Sequence, residues 1–206
     1  MDGGFTVNSH QVQQWMEATL SLIKENEETL SELDQTIGDG DHGVNMVRGF
    51  QAVVDEFPNW EQENLSTIMQ KIGMTLLSKV GGASGPLFGT GFMRLGVAFK
   101  SEEGTWAEGL TKAAEGIAQR GKTSVGDATL LDVWDPVAKV VQAKGTDWAE
   151  VERAAQDGMN NTKQLETKRG RGALLKERSV GHLDPGAVSS YYLFHALVQT
   201  MKKGES

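Results

Sequence analysis

A chain of 206 residues with 28 acidic against 20 basic side chains carries a formal charge of -8, which excludes a nucleic-acid partner, because such binding rests on clustered Lys and Arg. The absence of cysteine excludes a disulfide framework and a thiolate nucleophile. No stretch approaches the length of a membrane span, the N-terminus lacks a basic region followed by an apolar run, and no composition shift divides the chain, so the expectation is one cytoplasmic domain over residues 1–206 without a membrane partner.

Apolar residues recur at helical spacing nearly throughout, while the alternation of a strand is missing; the pattern is all-α. Ser9 is placed to cap a first helix in which Val12, Trp15, Met16 and Ile23 share a face, running to about Thr29 before an acidic loop. Val44, Val47, Phe50, Val53, Val54 and Phe57 mark a second helix, which Pro58 ends. Asn64 is placed to cap a third through Leu65, Ile68, Met69, Ile72 and Leu76, and after a break at residues 81–86 the pattern resumes from Leu87 to Phe99. Thr105 begins a fifth segment, with Trp106, Leu110, Ala113, Ala114 and Ile117 on one face, ending at Gly121. Asp127 opens a sixth with Leu130, Leu131, Val133 and Val137, in which Pro136 predicts a kink. Thr146 begins a seventh through Trp148, Val151, Ala154, Ala155 and Met159, and an eighth runs from about Pro185 to Met201. About eight helices joined mostly by short connections predict an antiparallel up-and-down barrel or bundle, with the five tryptophans in its core or at its helix joints. Helix pairs return the chain to one end, so the acidic loop and the glycine-rich stretches 81–86, 121–126 and 181–186 are expected to meet at one mouth, with the ligand site there.

The acidic loop reads Ile37-Gly38-Asp39-Gly40-Asp41-His42-Gly43, with Asp34 just upstream. Three carboxylates so close repel one another, and the glycines let the backbone turn sharply enough to aim them inward. A hard cation of the Mg²⁺ type, shared with substrate phosphates, would account for Asp34, Asp39 and Asp41; a solvated turn rich in Asp and Gly is the competing reading. An EF-hand is excluded, since counting from Asp39 puts Val44 where its glycine belongs and Phe50 where its bidentate Glu belongs.

Other stretches point toward anions. Gly81-Gly82-Ala83-Ser84-Gly85 directly before a helix is either an anion site of free N–H groups or a flexible connector. Gly116 to Thr123 matches the phosphate-loop pattern letter for letter, but that motif works between a buried strand and a helix, and the residues before it have helical spacing. Gly121 remains able to touch a nucleotide as a helix-ending glycine. Lys168-Arg169-Gly170-Arg171-Gly172-Ala173 is either a solvated basic loop or one that folds over a ligand, with Arg171 forking onto phosphate oxygens. His195, on a helix, is assigned to packing or surface.

Taken in order, Leu33 to Gly43, Gly81 to Thr90, Gly126-Asp127-Ala128-Thr129 with Asp132-Val133-Trp134, and Gly181 to Ala187 resemble the DhaL family of nucleotide-binding subunits of bacterial dihydroxyacetone kinases. The resemblance covers nearly the whole chain and implies a barrel of eight antiparallel helices with ADP or ATP and two Mg²⁺ ions at one end. Carried over by position, Asp34, Asp39 and Asp41 would be the metal ligands. His42, Gly43, Val44, Asn45, Ala83, Ser84, Gly121, Leu130, Arg171, Asp184, Pro185 and Gly186 would line the nucleotide. Leu130 stands where some relatives are expected to carry Met, a volume-conserving change. The resemblance also implies phosphoryl transfer to dihydroxyacetone held on a DhaK-like subunit, with ADP recharged in place by a DhaM-like phosphoprotein. No side chain of this chain then acts as nucleophile. A noncatalytic nucleotide-sensing regulator on the same scaffold, or a self-sufficient phosphate-loop NTPase, would behave differently: the first transfers no phosphate, and the second hydrolyses nucleotide alone.

Overall fold

Asn8 rather than Ser9 opens the first helix, because its side chain accepts from the Gln11 N–H at 2.9 Å while the Gln11 side chain accepts from the Asn8 N–H at 3.0 Å, a reciprocal cap. The computed structural model describes residues 7–101, 104–145, 147–169, 171–174 and 176–204. Among these the chain forms α1 (Ser9–Glu25), α2 (Glu27–Ile37), α3 (His42–Glu56), α4 (Leu65–Lys79), α5 (Ser84–Ala98), α6 (Trp106–Gly121), α7 (Leu131–Lys144), α8 (Trp148–Asn161) and α9 (Pro185–Gly204), with short 3-10 turns and no strand.

The expected first helix is therefore two, and the total among the described residues is nine rather than about eight. Asn26 causes the break: its side-chain amide donates to the Leu22 carbonyl at 2.8 Å, closing α1. Glu27 and Glu28 then begin a new first turn, where acidic side chains favour the helix dipole. One consequence matters for function, since Asp34 lies in the last turn of α2 and not in a loop.

Several boundaries move for equally local reasons. α5 starts at Ser84, earlier than Leu87, because Pro86 is tolerated in a first helical turn. α7 starts at Leu131 and not at Asp127, since residues 126–129 are held as a turn by Asp132. Pro136 lies inside α7. Thr146 lies outside the described residues, and Asp147 caps α8 by accepting from the N–H groups of Ala149 and Glu150. Asn64 and Thr105 cap α4 and α6 as expected.

Packed helix pairs run α1 on α3, α3 on α4, and then each helix on its successor to α9, which returns to α1. From α3 to α9 neighbours in sequence are neighbours in space, whereas α2 packs on α3 and α9 and α1 packs on α3 and α9. Trp134 of α7 occupies the interior, fully buried, with edge contacts to Phe88 and Phe92 of α5 and Phe194 of α9 at ring-centroid separations of 6.3, 6.2 and 5.0 Å. Its indole N–H donates to Ser190 at 3.0 Å. All five tryptophans are buried.

The phosphate-loop reading of Gly116 to Thr123 falls here. Gly116 is inside α6, the helix runs on to Gly121, and Lys122 closes it in the left-handed conformation at φ 50°. No described helix is long and apolar enough to cross a membrane.

Candidate functional site

Five chain segments meet around a cavity of about 300 Å³. The end of α2 and the start of α3 give Asp34, Gly38, Asp39, Asp41, His42 and Asn45; the approach to α5 gives Gly81, Gly82, Ala83, Ser84 and Leu87. The turn before α7 gives Ala128, Thr129 and Leu130, the basic run gives Thr167 and Arg169, and the start of α9 gives Asp184, Pro185 and Gly186. The predicted convergence of loops holds for the acidic loop, the 81–86 stretch and the 181–186 stretch, while residues 128–130 take the place expected for 121–126.

One carboxylate oxygen from each of Asp34, Asp39 and Asp41 lies within 4.8 Å of the others, a set that could hold a metal ion. Asp34 is anchored by its Oδ2 atom, which accepts from the N–H groups of Asp41 at 3.0 Å and His42 at 3.2 Å, so the end of α2 is tied to the beginning of α3. Burial pushes the Asp34 carboxyl up, the backbone donors of Asp41 and His42 pull it down, and the neighbouring Asp39 raises it; the net displacement is upward. Asp41 stands at the N-cap of α3 yet makes no capping bond with its side chain.

His42 is buried between two hydroxyls, with Nε2 3.0 Å from Ser189 Oγ and Nδ1 3.2 Å from Ser84 Oγ. Ser189 has one hydroxyl hydrogen and two carbonyls to give it to, those of Pro185 at 3.0 Å and Gly186 at 3.1 Å. Its oxygen therefore accepts from His42 Nε2–H, which leaves Nδ1 to accept from the Ser84 hydroxyl. Burial pushes His42 down to about 4, so the ring is neutral near pH 7. The result is a directed hydrogen-bond chain from the cavity wall into α9.

Asn45 faces the same space, and its Oδ1 accepts from Arg48 at 2.6 Å. A Cβ on Gly81 would fall 2.8 Å from that oxygen, so the backbone of the glycine stretch can approach only without a side chain. Asp132 shapes the next wall, with Oδ1 accepting from Gly126 N–H at 2.6 Å and Oδ2 from Thr129 N–H at 2.8 Å. The turn it holds includes Ala128 at φ 53°, a left-handed conformation that costs a non-glycine residue about 1–2 kcal/mol per position. Asp184 caps α9 by accepting from Ala187 N–H at 2.7 Å, with Pro185 following as the first helical residue. Burial, with the negative charges of Asp132 and Asp34, pushes the Asp184 carboxyl up to about 7.

Of the residues expected from the sequence, His42, Asn45, Ala83, Ser84, Leu130, Asp184, Pro185 and Gly186 line the cavity together with the three aspartates. Gly43, Val44 and Gly121 do not line it. A Cβ at Gly43 would lie 2.0 Å from the Glu27 carbonyl oxygen, so that glycine serves the close crossing of α2 and α3. Val44 is half-exposed on α3, and Gly121 sits behind Leu87. Arg171 begins a 3-10 turn, and its side chain lies outside the described residues. Sequence reasoning did not single out Leu87, Ala128, Thr129, Thr167 or Arg169 as site residues. Ala128 and Thr129 stood in the Gly126–Thr129 motif and Arg169 in the basic run, whereas nothing in the sequence marks Thr167.

Residues 36–199 match the family model described as the DAK2 domain. The chain is 46% identical over 190 residues to the PEP-dependent dihydroxyacetone kinase 1, ADP-binding subunit DhaL, of Listeria innocua, covering 90% of this chain and 93% of that protein. It is 37% identical over 204 residues to the PEP-dependent dihydroxyacetone kinase, ADP-binding subunit DhaL, of Escherichia coli, covering 94% and 97%. In shape it is similar to the dihydroxyacetone kinase of C. freundii, whose crystal structure is a complex with AMP-PNP and Mg²⁺: TM-score 0.78, 23% identity, 97% of this chain and 35% of that one.

Proposed function

The chain belongs to the DAK2 domain family, and from that premise we propose that it is the ADP-binding subunit of a phosphoenolpyruvate-dependent dihydroxyacetone kinase, working with a separate DhaK-like subunit. Residues 1–206 are read as one DhaL-like nucleotide-binding domain. The observation that carries the proposal is the trio Asp34, Asp39 and Asp41 at a cavity lined by glycine backbone, a donor set suited to a hard cation shared with phosphate. The fit is chemical as well as geometric: carboxylate oxygens within 4.8 Å repel one another, and the Asp34 carboxyl is pushed up first by burial and to a smaller extent by Asp39.

Two Mg²⁺ ions and ADP or ATP, when bound, would supply charge neutralisation and the phosphoryl carrier. The chain's own residues do the holding. Asp34, Asp39 and Asp41 are the metal ligands; Gly82 to Ser84 and the start of α9 line the nucleotide with His42, Asn45 and Leu130. The neutral His42 ring fixes the direction of the Ser84 hydroxyl, so Ser84 presents its oxygen to the cavity as an acceptor. The general base for the hydroxyl of dihydroxyacetone comes from the DhaK-like partner, and a DhaM-like phosphoprotein recharges the nucleotide in place.

Native mass spectrometry of the purified chain, before and after EDTA, tests the ligand. The expected result is a retained mass of ADP with magnesium that EDTA removes, and that Asp39→Ala abolishes without loss of helical circular dichroism. ADP retention that ignores both EDTA and Asp39→Ala would remove the metal site. Reconstitution with DhaK and DhaM separates a kinase subunit, which yields dihydroxyacetone phosphate, from a nucleotide sensor, which does not.

A further inference from the structure

Asp34, Asp39, Asp41 and Asp184 give the cavity four carboxyl groups, and among the described residues lining it Arg169 alone carries a permanent positive charge. The neighbourhood of Arg169 is unusually constrained for a residue of a basic loop. Asp127, just before α7, is buried, and its Oδ2 accepts from Ser124 N–H at 3.0 Å, Thr123 Oγ1 at 3.3 Å and Arg169 Nε at 3.2 Å. Its Oδ1 is 3.4 Å from Lys168 Nζ, and its main-chain carbonyl accepts from Lys168 N–H at 3.1 Å. The 168–169 segment is thus pinned through both backbone and side chains.

We propose that Arg169 is a phosphate-positioning residue of this cavity and that Asp127 sets its orientation; the inference rests on the nucleotide reading above. Asp127 is met by two cations, so its charge is not left to Arg169 alone to neutralise, and of the two only Arg169 lines the cavity. A guanidinium is planar with five donors, so engaging Nε with a buried acid fixes the plane of the group while its terminal nitrogens stay suited to a forked contact with phosphate oxygens. Lysine could supply the charge but not both contacts at once. Arg169 is 46% exposed at the rim, open to a ligand without rearrangement of the core.

The test is ADP titration by calorimetry in magnesium buffer, with the full chain stripped of nucleotide beforehand. Arg169→Ala is expected to weaken ADP binding about 10- to 100-fold, the range for a hydrogen-bonded charge, and Arg169→Lys by less. Asp127→Asn is expected to weaken it about fivefold in the parent and to have no further effect in the Arg169→Ala background, because its influence passes through Arg169. A purely structural Asp127 would instead give losses that multiply. ADP affinity unchanged by Arg169→Ala overturns the proposal, and so do losses that multiply. Asp39→Ala, run alongside, separates the two readings: if it abolishes binding while Arg169→Ala does nothing, the nucleotide site stands and only this inference falls. If Asp127→Asn does not fold, Arg169→Lys decides, since affinity equal to the parent's overturns the fork.

Discussion

Asp132→Ala is the substitution whose outcome follows most directly from the structure. The side chain is buried, and its two oxygens satisfy Gly126 N–H at 2.6 Å and Thr129 N–H at 2.8 Å. Alanine leaves the buried Thr129 amide without its acceptor, a loss of about 1–3 kcal/mol. Gly126 is half-buried, so water replaces part of its bond, and about 1 kcal/mol more is lost there. Against this stands a relief: burial raises the Asp132 carboxyl, so removing the charge recovers some desolvation cost. The net expectation is a destabilisation of about 2–3 kcal/mol, which for a chain of this size lowers Tm by about 4–12 °C. Asp132→Asn keeps one acceptor and should lose about half as much. Thermal unfolding followed by circular dichroism measures both. An Asp132→Ala melting within roughly 1 °C of the parent would refute the view that this carboxylate holds the turn that carries Ala128 to Leu130.

Asp184 yields a pH signature. Its carboxyl titrates near 7 in the fold against 3.8 as the reference, so between those values the folded state holds the extra proton, and stability falls as pH rises through that window. Asp184→Asn keeps a capping oxygen for Ala187 N–H and removes the titration; its urea midpoint relative to the parent, without magnesium, should rise from pH 4 to 7 and then level off, and a pH-independent difference contradicts the assignment. Lys122→Gly relieves a left-handed residue at the end of α6 and should raise stability by about 0.5–1 kcal/mol with ADP retention unchanged. Loss of ADP on that change would restore the phosphate-loop reading.

Helical spacing carried most of the fold, because an apolar stripe such as Val12, Trp15, Met16 and Ile23 is written along one face and is buried as written. Asn26 escaped notice for the same reason: Ile23, Leu30 and Leu33 continue the spacing across the break, and the side-chain bond to Leu22 that ends α1 leaves no trace in the apolar pattern. The three aspartates were legible because they sit close together in sequence and repel wherever the chain places them. The sequence singled out Arg171, whose side chain lies outside the described residues, and gave no sign of the Arg169–Asp127 contact, because Asp127 is 42 residues away and meets the run only after folding. The His42–Ser189 bond spans 147 residues and was equally hidden, although His42 itself stood beside the acidic loop.

The return of α9 to α1 has a consequence for biosynthesis. Residues 184–186 are synthesised after every other segment of the cavity, yet they complete a wall whose acidic corner, Asp34 to Asp41, is made before the rest. A nascent chain therefore exposes that corner until α9 follows, with that wall missing. The cavity is whole only once α9 has emerged from the ribosome and docked beside α1.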